Sequence, residues 1–520
     1  MISCLKLEQP GGWRLAGLGA IFLLALAPGA ILLGAGGGGP DADWGAQLRG
    51  PFGTALGRSL AVALGSTALS LAVGLPAGLL AGLYDFPARR LLLAVLALPL
   101  LVPTFIQSIG LSLASGTLGT AWGQVLAGLG GTVLVFSFFG VPLVLFGTLA
   151  AIRGVARSQA DAVRLAGGEW HLVARVAREV LPAASLTAAL AGVLTLSDPG
   201  PGQILGHAGA AAEILVSFAA RYDFGLAARQ CLLLAGVVLV IALPVALRLA
   251  PRLATALLAR DATPVARVRL TFPVIAGPIT LGTIAAVTLV LPLAGFARPL
   301  QGGFPLGRVG EEIARTGGPT MLFAGTAAVL ATVLGTTAAL CAGRSPRLRI
   351  VLLVGLVVVL SLPPSLPALG LMQLATAGNA TLDPILRSWL TVGLAQATRL
   401  FPIVALFALR SLGTSSPSWT SAAALHGLSL PTFVGRILGP WLAPAVVSAA
   451  MLVGLLATAE VGSVLLLHPP GMSSLPLAIF TIMANAPEAL VGGLCLAYVG
   501  AAALLLGLGR TLLATYPRNS

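Results

Sequence analysis

Three ionisable side chains stand in stretches that are otherwise apolar: Asp198 in LSDPGPGQIL, Glu460 in TAEVGSVLLL and Arg399 in AQATRLFP. A charge at a membrane helix centre costs about 2.5–3.5 kcal/mol on insertion scales, so such groups mark ion pairs, gates or solute paths. Two carboxylates could draw a cation through a passage or shape a gate. Two acids alone are thin coordination for a hard metal ion that takes six or more oxygens, which favours the gate. The plainer alternatives are polar groups that end a helix and, for Arg399, a structural ion pair. A histidine follows each acid, His207 and His468. With Arg221 these could form a surface that receives another protein, or be ordinary loop residues. No nucleophile–base constellation, metal-ligand set or phosphate-cradling loop accompanies them, so neither catalysis nor a cofactor is expected. The single lysine, Lys6, has no glycine-rich context. A P-loop, whose lysine must reach the β- and γ-phosphates, is therefore excluded. Cys4, Cys231, Cys341 and Cys495 are too scattered for a disulfide framework or a zinc site.

What must position these residues is a lipid bilayer. Of 520 residues, 57% are hydrophobic and 9% charged, and mean hydropathy is +0.99. A soluble domain carries roughly 25% charged residues. Continuous apolar runs of about 20 residues read as spans. They predict an all-α polytopic membrane protein with twelve transmembrane helices, near 14–35, 55–83, 91–113, 124–150, 183–203, 225–247, 271–296, 318–342, 350–374, 388–409, 442–466 and 489–515. The runs do not alternate, which argues against a β-barrel. The first run follows Lys6 and Arg14 without a convincing cleavage site, so no signal peptide is expected. At a rise of about 1.5 Å per residue, Asp198 and Glu460 lie roughly 23 and 27 Å above the cytoplasmic end, and Arg399 about 17 Å into its span.

Charge supplies the orientation. With the N-terminus cytoplasmic, 21 of the 30 Lys and Arg fall on the cytoplasmic side, eight outside, and Arg399 within a span. Six acids accompany the cytoplasmic set and eight the external set. The net charge of +14 then follows from the positive-inside rule with both termini cytoplasmic, and no nucleic-acid partner is called for.

The chain also repeats itself. SQADAVRLAGG begins at Ser158 and PSWTSAAALHG ends at Gly427. Aligning Gly167 with Gly427 gives an offset of 260, which also superposes Pro142 on Pro402. An offset of 261 superposes Pro103 on Pro364 and Gly74 on Gly335. Six spans per half predict a parallel repeat about an axis along the membrane normal: a first half at 1–250, a linker at 251–270 and a second half at 271–520. In each half the longest cytoplasmic loop, 154–182 or 412–440, follows the fourth span. Ser416 and Pro417 suit an N-cap and first turn, and Gly427 suits the left-handed C′ position. Ser429 and Pro431 would open a second short helix that Gly439-Pro440 ends. Ser158 and Asp161 have capping-box-like spacing. Such a helix–turn–helix presents a small, Ala-rich face that a partner's groove can receive.

These loops resemble the "EAA" loop of permease subunits in binding-protein-dependent ABC importers, E-A-A-x3-G-x9-I-x-L-P. The second half matches as Ser421-Ala422-Ala423, Gly427, Ile437 and Pro440, with Ser for Glu and Gly439 for Leu. The first matches as Asp161-Ala162-Val163, Gly167 and Leu181-Pro182; its longer Gly-to-Pro distance predicts a bulge in the second short helix. The whole chain is most similar to the fused, two-in-one permeases of the ferric-iron, thiamine and aminophosphonate uptake group. The resemblance implies a bacterial inner-membrane permease that is not itself an enzyme. Each loop would dock as a coupling helix on one of two copies of a cytoplasmic ABC ATPase subunit. An extracytoplasmic solute-binding protein would deliver ferric iron, thiamine or a small anion, with His207, Arg221 and His468 as its docking surface. The alternative is a secondary transporter of the major facilitator type, also two six-helix repeats. AGLYDFPARR and AGRSPRLR lie in the corresponding loops but lack that family's full G-x3-D-R-x-G-R-R pattern. The long capped loops have no place in that fold.

Overall fold

A computed structural model describes residues 12–36, 44–116, 120–258, 265, 267–378, 381–416 and 418–515. Cys4, Lys6, Pro417 and the linker residues 259–264 and 266 lie outside the described residues. The chain is an all-helical polytopic membrane protein; among the described residues ten helices are long and apolar enough to cross a membrane, and two further bent pairs make up to twelve spans. In order they are span 1 (Gly12–Gly36), span 2 (Pro51–Leu83), the bent span 3 (Arg89–Leu96 and Thr104–Ser115) and span 4 (Leu129–Ile152). Span 5 is Arg157–Thr195, span 6 Phe224–Leu258, and span 7 runs from Thr271–Ala285 through a π turn into Leu291–Ala297. Span 8 is Leu306–Ala342, span 9 the bent pair Pro346–Ser361 and Ser365–Thr376, and span 10 Trp389–Thr414. Span 11 is Leu430–Ala459 and span 12 Glu488–Thr515. Leu23, Leu64, Val240 and Leu504 point outward, exposed. Apolar side chains facing away from the bundle suit helices solvated by lipid.

Matching glycines set the packing within each half. Span 2 lies on spans 4 and 5, and span 8 lies on spans 10 and 11. Gly74 abuts Val141 and Val144, and Gly335 abuts Phe401 and Val404, with no room for a Cβ at either. Two glycines 261 residues apart thus make equivalent close crossings. The first span of each set crosses over: span 1 packs on the second limb of span 9, and span 7 on the second limb of span 3. There Gly370 meets the carbonyl of Pro28 and Gly110 that of Pro292. Hydroxyls repeat as well. Ser59 Oγ accepts from Ala210 N at 2.9 Å and Thr320 Oγ1 from Leu475 N at 2.8 Å, capping the helices Ala210–Ala219 and Leu475–Ile482.

Arginines close the end of span 8. Arg14 is fully buried and donates from Nε to Cys341 O at 2.6 Å and from Nη2 to Ala342 O. Arg349, also buried, donates to Gly343 O at 2.6 Å. Cations here meet the orphan carbonyls and the negative end of the helix dipole.

Four expected spans are broken. Span 3 bends by 101° and span 9 by 81°, next to Pro103 and Pro364, because proline disfavours helical geometry in the residue before it. Spans 5 and 11 stop at Thr195 and Ala459, short of the expected 203 and 466. Their continuations are separate short helices, Gly200–Ile204 and Gly462–Leu467. Pro199 and Pro201 account for the first break. In the second, Glu460 turns to extended geometry, φ −84° and ψ 114°.

Candidate functional site: paired loops and an intramembrane polar cluster

In the second loop, Ser418–Leu425 forms one short helix, preceded by Ser416, whose Oγ accepts from Ser418 N at 3.4 Å. Leu428 N donates to Ala423 O at 2.9 Å and Gly427 N to Ala424 O at 3.1 Å. Gly427 takes φ +66°. That is a Schellman C-cap with glycine at C′. Ala423 is buried, whereas Ser421 and Ala422 are exposed. Trp419 stands edge-on to Trp441 at 5.1 Å, and Trp441 Nε1 donates to Ser411 O at 3.0 Å, pinning the loop to span 10. Gly439-Pro440 does not end a helix as expected. The backbone runs on from Leu430 to Ala459 through a π turn at Val434–Leu438, placing Ile437 and Pro440 within one rod. A wider turn just before a proline accommodates its missing N–H.

The first loop departs from its expected details. Its helix begins at Arg157 after Ala156, without a side-chain cap, so Ser158 and Asp161 form no capping box. Asp161 instead lies 3.5 Å from Arg157 and 3.6 Å from Arg164, one turn to either side. The turn glycine is Gly168 (φ +74°), not Gly167. A Cβ on Gly167 would strike the His171 ring, whereas one on Gly168 would meet nothing. Nor does the first loop bulge as expected: its second helix stays α-helical past Gly168, and the π turn lies in the second loop. Past Gly168 the helix continues through Leu181 and Pro182 to Thr195.

Sequence reasoning missed the clamp that fixes this turn. Glu169 accepts from Arg164 Nε at 2.9 Å and from the Tyr84 hydroxyl at 3.0 Å. Tyr84, just past span 2, also bridges to Val268, and neighbouring Asp85 pairs with Arg269 at 3.1 Å. The segment leading into span 7 is thereby stitched to the first loop. Burial, then the bond to Glu169, pushes the Tyr84 hydroxyl pKa up to about 12. Also missed were Leu165, 90% exposed, and Leu425, 89% exposed. They are 260 residues apart and occupy the last turn of each short helix. Ala162 is exposed on the same first helix, with Trp170 just beyond the turn.

At the helix breaks, the two acids occupy equivalent places but are held differently. Asp198 accepts from Thr104 Oγ1 at 2.5 Å and from Gly200 N at 2.9 Å, so both its oxygens are engaged. Its neighbour Ser197 donates to Ser361 O of span 9 at 3.3 Å. Glu460, 9% exposed, lies 3.7 Å from Arg399 of span 10. Thr104 has its counterpart in Ser365, whose Oγ lies 3.4 Å from Cys231 Sγ instead. The proline repeat beside Thr104 was the sequence signal that could have found it. Among the described residues no group of three or more His, Cys, Asp or Glu side chains converges as metal ligands.

Each expected docking residue has its own local contacts. His207 is half-buried, and burial together with Arg58 lowers its pKa, leaving it neutral near pH 7. His468 Nδ1 contacts Val464 O at 3.0 Å. Arg221 pairs with Glu213 at 2.8 Å. Comparison with family models, curated proteins and solved structures finds no match to this chain, so motif and geometry carry the functional reading.

Proposed function

We propose that the chain is the membrane permease of an ATP-driven importer, carrying a small solute that an extracytoplasmic binding protein delivers. The arginine-rich face is the cytoplasmic one by the positive-inside rule, in a bacterial inner membrane. Two copies of a separate ABC ATPase subunit dock there, one on each loop, because this chain has no P-loop lysine of its own. The observation that carries the reading is mechanical. Each short helix turns at a positive-φ glycine into a helix that runs, without interruption, to a break beside an acid, half-buried Asp198 or buried Glu460. At about 1.5 Å per residue these rods are roughly 40 and 45 Å long, enough to cross a bilayer. A push on either loop is delivered to the opposite end, where Asp198 and Glu460 shape the gate. Broken helices at membrane depth are tolerated where protein buries them or they line a cavity.

The test is site-specific photo-crosslinking from positions 165 and 425 in native membranes. Both should capture the same Walker-motif ATPase. Capture of no ATPase from either position, in a correctly inserted chain, would overturn the proposal.

A further inference from the structure

The junction of spans 10 and 11 concentrates hydrogen-bonding capacity that no protein atom uses. Gln396 gives its Nε2 to Ala457 O at 3.1 Å, but its Oε1 is buried without a partner. One turn on, Arg399 Nη1 stands 3.7 Å from Glu460 Oε1, while Arg399 Nε and Glu460 Oε2 are both buried and unpartnered. Ser463 Oγ, three residues beyond Glu460 and wholly buried, is a fourth such atom. Native interiors leave few polar atoms in this condition, and each costs about 1–3 kcal/mol. The ion pair points the same way. A charge-assisted N–H···O bond contracts to about 2.7–2.9 Å when nothing competes; this one is only loosely closed.

The donor and acceptor balance defines a ligand. Arg399 offers a cationic donor, Glu460 and Gln396 offer acceptors, one of them anionic, and Ser463 offers both. The set carries no net charge. Asp198 adds nothing to it, since both its oxygens are taken. A hard metal cation, which takes six or more oxygens, would find one free carboxylate oxygen beside a guanidinium. A lone anion would face Glu460. A ligand with an ammonium and an acid group close together brings a partner for the carboxylate and one for the guanidinium at once.

We propose that Gln396, Arg399, Glu460 and Ser463 form a binding site for a small zwitterion, its ammonium on Glu460 and Gln396 and its acid group on Arg399. The site rests on the permease reading for its role as the transported solute's site. In the unloaded protein Arg399 and Glu460 neutralise each other, and the solute takes both as new partners. The site belongs to one half only. At an offset of 260, Gln396 and Arg399 correspond to Phe136 and Phe139, so one solute binds per chain.

The experiment is equilibrium dialysis of radiolabelled glycine, the smallest amino-acid zwitterion, against the purified full-length chain in lipid nanodiscs. Saturable retention of one glycine per chain is expected, displaced by unlabelled glycine but not by methylammonium, acetate or ferric citrate. Arg399→Gln and Glu460→Gln should each weaken binding about ten-fold or more. Gln396→Leu, which keeps both charges and guards against misfolding of the other two, should weaken it by about two- to ten-fold. No retention by the wild type, retention unchanged in Arg399→Gln and Gln396→Leu, or displacement by ferric citrate would overturn the site. No ATPase takes part, so failure here leaves the crosslinking result standing, and the reverse.

Discussion

Replacing Gly427 by valine perturbs one backbone angle and little else. At φ +66° a Cβ there would meet no atom within 4 Å, so the penalty is conformational and not steric. An L-residue in left-handed geometry costs about 1–2 kcal/mol, and β-branched valine belongs at the upper end of that range. One to two kcal/mol corresponds to a factor of about 5–30 in the population of the turn. The two bonds that Leu428 N and Gly427 N make to Ala423 and Ala424 depend on that geometry. The short helix should therefore fray or swing, while the spans, whose contacts lie elsewhere, still insert. Gly427→Asn should be much milder, because asparagine visits this region readily. The assay is solute-stimulated ATP hydrolysis by the complete complex, with insertion measured in parallel. Stimulation should fall about 5–30-fold in Gly427→Val and stay near wild type in Gly427→Asn. Wild-type stimulation in Gly427→Val would refute the reasoning that the turn transmits force.

The remaining expectations concern the other loop, the break and the topology. Gly168→Val should mimic Gly427→Val, with no steric contribution, in the same assay. Thr104→Val leaves one oxygen of half-buried Asp198 without its donor, costing at most about 1–3 kcal/mol, and should lower the melting temperature, whereas Thr104→Ser should not. Tyr84, whose pKa rises from about 10 unfolded to about 12 folded, contributes stability that is fully present below pH 10 and lost as pH climbs through 12. Melting temperature in Tyr84→Phe should accordingly lose part of the alkaline decline that the wild type shows between those values. Cysteines placed at Ser158 and Ser416 should label from the arginine-rich side only, and those at Gly209 and Ser473 from the opposite side. The reverse pattern would remove any route from the loops to a cytoplasmic ATPase.

The parts legible in the sequence were those fixed by local physics. Apolar run length alone located the membrane helices, and the Gly74 and Gly335 repeat, visible as an offset, falls on two equivalent helix crossings. Gly427 stands alone after an Ala-rich helix, so its C′ position was readable. Gly167-Gly168 is a doublet, and the choice between them falls to Glu169, which is clamped by Arg164 and by Tyr84 from 85 residues away. A capping box at Ser158 and Asp161 was equally plausible locally, but the helix begins at Arg157, two residues before a cap at Ser158 would start it, and Asp161 takes arginine partners instead. Pro103 and Pro364 were visible as a repeat, but 91–113 and 350–374 read as continuous spans, because apolar run length does not register a bend. The break at Glu460 had no proline to announce it. Its pairing with Arg399 joins residues 61 positions apart, on different spans.

The central claim is that a separate motor drives this chain through its two loops. It is tested most directly by native mass spectrometry of the affinity-purified complex, followed by reconstitution in liposomes. One chain with two copies of an ABC ATPase subunit, and uptake that requires ATP, is the result expected. A chain that purifies alone and carries solute on an ion gradient without ATP would contradict it.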